Sequence, residues 1–503
     1  MGLAIFSFTG TAEQLIIASR GDADTLDPHM RNEIWTMSIQ DHFNECLVTF
    51  SSDGAVIPKL AEAWSFIDDE TWEFNLRQGV VFHNGEIFNA DVVVYNIERI
   101  RNNPMSQFKA YVDPIVEVEI VDDYTVRFKT NGPLPTLPNF LCSCSMVPPL
   151  YTEEHGDEYF ASHPIGTGPY QLVEWVKDDH MTLHVNENYW GELPTYDEVI
   201  FRPIPVGATR VAALLSGEVD VIEAVPVFDI SRVEAAEGIR VERRPSLRVI
   251  FLLFDVGRAM GGEAPDNSPG VAAGEPNPVA DVRVRQAIYH AINIEDIRDY
   301  VMEGSSYPWS QPMPDVILGY NPEVERLPYD LDLARQLLAE AGYADGFKIR
   351  LDCPNDRYIN DQEIAEAISG QLAEIGIEVE VNAVPKAVFF PQVFTGRTTS
   401  FSLSGWAEPS MDAGGLLSIN FSSEGEFNNG FYRNEDVDRL IAEALVTMDL
   451  EARESLYQEV VKIIMDDVAW IPVHLQENVF GVSDGIVWSP RFDERIHAFD
   501  MSN

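Results

Sequence analysis

The sequence predicts an α/β fold of two lobes, and three observations carry that prediction. First, residues 347–406 read as strand, loop, helix, strand and a further strand. Phe347, Ile349 and Leu351 alternate with polar residues, and Ile364, Ile368, Leu372 and Ile375 recur at helical spacing before Gly376, a C-cap. Ile377, Val379 and Val381 then alternate again, and Phe401 and Leu403 mark a short strand ending at Ser404, Gly405 and Trp406. Second, helical and strand patterns alternate from 281 to about 473, which is a lobe in itself. Third, a strand at 15–19 is answered much later by short strands across 163–201, a helix near 209–215 and a strand at 219–222. The ending, 480–503, is too short to fold alone and should pack on that first lobe. Several crossings between two lobes imply a hinge with a cleft between them.

Between these parts, 56–160 reads as an inserted lobe of strands with one helix at 89–101, which Asp91 can cap, followed by a Pro-rich exit at 133–149. Residues 257–278, rich in Gly, Pro, Ala and Asn, read as a long surface loop. The expected division is 13–45, 163–256 and 478–503 as lobe I, 46–162 as inserted lobe Ib, and 257–477 as lobe II. No repeat at solenoid spacing occurs.

Composition narrows the function. With 45% hydrophobic and 11% aromatic residues over 503 positions, the chain is globular. Its 82 acidic and 34 basic side chains give a formal charge of -48, which repels nucleic acid and anionic membranes and reads as a solvated acidic shell. No apolar run is long enough to span a bilayer. Residues 1–12 are apolar and end in small residues, so they are expected to be the remnant of a secretory signal or a simple extension. No Leu-x-x-Cys lipid-attachment pattern precedes the mature part, and the first cysteine is Cys46, so a freely diffusing, periplasmic protein is expected.

Cys46, Cys142, Cys144 and Cys353 fit neither a zinc site nor a Cys-x-x-Cys redox pair. A bridge from Cys46 to Cys142 or Cys144 and buried free thiols both stay open. His29 and His42 make no metal site by spacing, so neither a metal nor a cofactor is expected. The chain has no Gly-x-Ser-x-Gly elbow, no His-Glu-x-x-His helix and no phosphate-binding Gly-x-x-x-x-Gly-Lys-Ser/Thr loop, so a binder is expected ahead of a hydrolase.

Seven segments then fall in one order: 61–64 (AEAW), 74–93 (FNLRQGVVFHNGEIFNADVV), 163–170 (HPIGTGPY), 186–191 (NENYWG), 214–222 (LLSGEVDVI), 281–292 (DVRVRQAIYHAI) and 331–347 (LDLARQLLAEAGYADGF). On these the chain resembles the extracellular solute-binding proteins of peptide, nickel and related ABC importers, family 5. The resemblance implies a periplasmic binding protein type II-like fold, with two α/β lobes around a hinged cleft plus an inserted third lobe. It also implies a monomer that captures a peptide-like solute and delivers it to the permease subunits of an ABC importer. Binding of an oligosaccharide, an opine or chelated nickel by the same cleft is the alternative. Most of the shared residues are structural: Gly79, Gly85 and Gly166 suit turns, and Trp64, Trp72 and Trp190 suit the core.

Ligands of open α/β sheets bind outside the carboxyl ends of the strands, so the residues after 354 and after 403 should share one cleft. Arg357 can bind a carboxylate through its planar fork, and the resemblance implies an arginine of that role here, with Asn355 and Tyr358 beside it. Gly405 and Trp406 match a Gly-Trp pair that in the family's dipeptide binders is followed by an aspartate for the ligand's amino group. Here Pro409 stands where that aspartate is expected, which leaves Glu408 or Asp412 to replace it and brings a glutathione-like peptide or an opine into view. From lobe I, Asp27, His29 and Trp35 follow the first strand, and Asn428, Asn429 and Tyr432 follow the Trp406 region.

Overall fold

A computed structural model describes residues 13–258, 276–394 and 401–503. The expected signal remnant at 1–12 and most of the surface loop expected at 257–278 lie outside the described residues. The chain divides into two compact units, one of 1–132, 137–244 and 478–503, the other of 133–136 and 245–477. The passage between them at 244/245 comes before the 256/257 boundary read from the sequence, because one long strand carries the chain through it.

Unit 1 contains β1 (Gln14–Ser19), β2 (Val48–Phe50), β3 (Val56–Pro58), β4 (Ala61–Asp68), β5 (Thr71–Leu76), β6 (Ile115–Asp122), β7 (Thr125–Thr130), β8 (Tyr170–Val176), β9 (His180–Val185), β10 (Glu198–Pro203) and β11 (Val221–Ile222). β1 lies parallel to β10 and β11, and β10, β9 and β8 continue antiparallel. Leu15, Ile17, Leu183, Val199, Phe201 and Val221 put their branched and aromatic side chains into one core on this sheet. A separate antiparallel sheet in the order β4, β5, β7, β6 forms the body of the inserted segment.

The helix Ala90–Asn102 follows β5, and its cap is the Asn89 side chain, which accepts from Val92 N at 3.3 Å. Asp91, expected as the cap, sits instead in the first turn, where its charge still favours the helix dipole. Trp72 is buried, Trp64 stacks on Phe74, and Trp190 is half-buried with Nε1 donating to Glu45 at 2.7 Å. All four cysteines are free and buried, and burial pushes the Cys46 thiol up to about 12.

Unit 2 holds most of β12 (Ile239–Phe254), then β13 (Ser306–Pro308), β14 (Phe347–Pro354), β15 (Ile377–Val384), β16 (Phe401–Ala407) and the first part of β17 (Trp470–Ser483). Its strand order is β15, β14, β16, β12, β17. β14 is parallel to both β15 and β16, and β16 is antiparallel to β12. The strand–helix–strand reading of 347–384 is what forms, with the helix at Asp361–Ala373. Gly346 and Gly376 close this unit back to back: Gly346 has φ +73°, and a Cβ there would meet Gly376 O at 1.8 Å. The stretch between β15 and β16 contains a helix at Lys386–Phe394 with Pro391 inside it. The core gathers Ile250, Leu252, Ile288, Leu351, Ile368 and Leu403 from strands and helices alike.

Candidate functional site

Within unit 2, the carboxyl end of β14 and strands β12 and β16 converge on a cavity of about 340 Å³. The antiparallel register sets Arg248 opposite Ala407, Val249 opposite Trp406 and Phe251 opposite Ser404. β12 and β16 thus deliver Arg248, Phe251, Leu253 and 404–407 to the same walls, while Arg357 and Tyr358 come from the turn after β14.

That turn is built by Asp361, whose Oδ2 accepts from both Arg357 N and Tyr358 N at 3.0 Å. Asn360, ahead of it, takes a left-handed conformation at φ +53°, which asparagine tolerates. The Tyr358 ring is buried and its hydroxyl donates to Gly405 O at 3.2 Å. Gly405 is glycine for a packing reason: a Cβ would stand 2.9 Å from Tyr358 Cε1 and 2.8 Å from Ile250 Cδ1.

The remaining walls are aromatic. Phe251 stacks face to face on Trp470 at 3.6 Å, and Trp406 leans on Phe427 at 5.5 Å. The Trp406 Nε1–H is buried and has no acceptor among the described residues. Against this apolar lining stand two guanidinium groups over one ring, Arg357 at 5.3 Å and Arg248 at 6.0 Å from the Tyr358 centroid. None of the described residues lining the cavity is acidic. A site of this kind suits a solute with an apolar or flat body and an anionic group, because a planar guanidinium binds a carboxylate with two parallel hydrogen bonds.

Of the residues read from the sequence, Arg357, Tyr358, Gly405 and Trp406 meet in this cavity. Asn355 is exposed outside it, its backbone N–H bonded to Val384 O. Glu408 is buried and does not line the cavity, its Oε1 accepting from Ser410 N and Ser410 Oγ. Burial pushes its carboxyl up to about 7. Asp412 caps the helix Ala413–Phe421 through Gly414 N at 2.9 Å and pairs with Arg453. Asn428 staples a turn, donating to Ser422 O and Tyr432 O, while its neighbour Asn429 lines the cavity.

Of the unit 1 candidates, Asp27 and His29 have internal partners. Asp27 is buried against Arg99, with contacts of 3.0 and 2.5 Å. Burial opposes its charge, but the Arg99 hydrogen bonds and charge hold its carboxyl below the usual range. His29 meets Ser145 O at 2.8 Å and Arg99 at 2.7 Å, and burial and the Arg99 charge push it down to about 4, so it is neutral at pH 7. Trp35 is half-buried in the helix Ile34–Gln40.

Sequence reasoning missed Arg248, Phe251, Phe390, Asn420, Phe427 and Trp470. A lone charge opening the apolar run 249–254 was the one available signal for Arg248.

Residues 55–428 match the model of the bacterial extracellular solute-binding proteins, family 5. The chain belongs to this family. It is a solute-binding protein of the kind that serves ABC importers. It is 29% identical to the glutathione-binding protein GsiB of Salmonella typhi over 483 residues, covering 93% of this chain and 90% of that one. It is 30% identical to heme-binding protein A of Haemophilus influenzae over 478 residues, covering 87% and 82%. Among solved structures, HbpA2 from Haemophilus parasuis superposes with a TM-score of 0.86 at 25% identity, covering 97% and 99% of the two chains. The periplasmic binding protein DppA from Helicobacter pylori in complex with peptide STSA gives 0.77 at 25% identity, covering 97% and 98%. These neighbours bear out the type II family-5 fold, in which mixed α/β lobes carry an additional domain. Among the described residues no helix is long and apolar enough to cross a membrane.

Proposed function

We propose that the unit 2 cavity holds a carboxylate-bearing, peptide-like solute, with Arg357 as the partner of the carboxylate and Trp406 as an apolar wall. The observation that carries this reading is the pairing of guanidinium groups with an aromatic lining free of acidic side chains among the described residues. A dipeptide held by both ends is disfavoured, because Pro409 replaces the aspartate that would take its amino group and because Glu408 and Asp412 are bonded internally. A glutathione-like peptide fits the same chemistry, and the likeness to a glutathione-binding protein supports it.

The protein acts as a periplasmic, monomeric binder without turnover, and the two lobes close on the solute before it passes to the permease. Native mass spectrometry of the protein purified without added ligand tests this reading. A co-purified anionic mass is expected, unchanged after prolonged incubation. A cationic or carbohydrate mass, or a product of hydrolysis, sinks it.

A further inference from the structure

We propose that Arg248 is a second anion contact, so that the cavity selects solutes carrying two anionic groups rather than one anion and one ammonium. The inference rests on the carboxylate reading above and adds to it the second group that the solute must present.

Four observations support it. Arg248 is half-buried, lines the cavity, and has no carboxylate partner among the described residues. A guanidinium removed from water without an opposite charge is unfavourable, and an incoming anion relieves that cost. Arg357 stands over the same Tyr358 ring, so one ring, which Gly405 O and the tight Gly405 backbone keep in place, carries both guanidinium groups. Two guanidinium groups on one wall offer a fork to each of two carboxylates. In addition, the buried Trp406 Nε1–H has no acceptor among the described residues, and a carboxylate oxygen of the solute can supply one. With no acidic side chain among the described lining residues, nothing on these walls rewards a cation.

The test is a calorimetric cycle on the full chain with three probes: reduced glutathione, which has two carboxylates, and its two monoamides, each with one carboxylate made neutral. In the parent protein each amide is expected to bind about tenfold more weakly or worse. In Arg248→Gln, one amide and glutathione are expected to bind within about threefold of each other, because the contact that distinguished them is gone. Arg248→Lys retains part of the discrimination, since it keeps the charge and loses the fork.

The probe comparison in the parent protein stands even if a variant fails to fold. Equal binding of glutathione and both amides overturns the second contact and leaves the carboxylate reading intact if Arg357→Ala still weakens all three. An Arg248→Gln protein that keeps the full discrimination between the probes overturns the role of Arg248. If none of the three binds at millimolar concentration, this inference and the carboxylate reading fall together.

Discussion

Arg453 Nε lies 3.1 Å from Asp412 Oδ2 with both side chains almost wholly buried, and the same carboxylate caps the helix Ala413–Phe421. Asp412 is therefore a structural anchor, even though its place after Trp406 makes it look like a ligand acid. Removing one partner of a buried pair leaves an uncompensated charge and typically costs about 3–5 kcal/mol. Arg453→Met should lower the urea midpoint by a corresponding amount and leave solute affinity unchanged in the folded fraction. An unaltered midpoint would show that the pair does not anchor the helix.

Glu408 predicts a pH dependence. Burial raises its carboxyl to about 7, above the value an unfolded chain would give, so the folded state binds the extra proton more tightly. The stability it contributes is complete below the unfolded pKa and is lost as pH rises through about 7. Glu408→Gln should flatten the stability profile between about pH 4.5 and 7 relative to the parent. A parallel slope in both proteins would place the titration elsewhere.

The charge of -48 makes a third prediction. Screening by added sodium chloride should relieve self-repulsion and raise the melting temperature from low to moderate salt. A steady fall over that range would contradict a merely solvated acidic shell.

Part of this site was legible in the sequence for a physical reason. Arg357 and Tyr358 follow a strand, and Gly405 and Trp406 lie at the end of another, whose alternation is plain, and the ends of such strands are where open α/β sheets bind ligands. Arg248, Phe251 and Trp470 were not legible, because only the antiparallel pairing of β12 with β16 and the stack on β17 bring them there. Local alternation carries no information about which distant strand lies alongside. Glu408, Asp412 and Asp27 illustrate the opposite difficulty. In so acidic a chain, a carboxylate in a candidate loop looks the same in the sequence whether it faces a solute or is held by Ser410, Arg453 or Arg99. Asn89 and Asp91 compete for one cap by propensity alone, and backbone geometry decides between them.

Gly405 offers a steric test. Gly405→Ala would press a methyl group against the Tyr358 ring and Ile250 at less than 3.0 Å, so the ring must shift from the cavity wall. Affinity should fall while the thermal transition stays cooperative. Parent-like binding would mean that the Tyr358 position does not matter to the site.

The most direct test of the central claim is calorimetry with the co-purified solute, or with glutathione in its place, on the parent, Arg357→Ala and Arg357→Lys. Arg357 is exposed at the cavity mouth, so the low end of the usual cost of breaking a charge pair applies, about 2 kcal/mol or about 30-fold in affinity. The account predicts at least that loss for Arg357→Ala and partial recovery for Arg357→Lys, with all three proteins folded alike. Equal affinity across the three would contradict it, reducing Arg357 to a surface charge and leaving the cavity without its carboxylate partner.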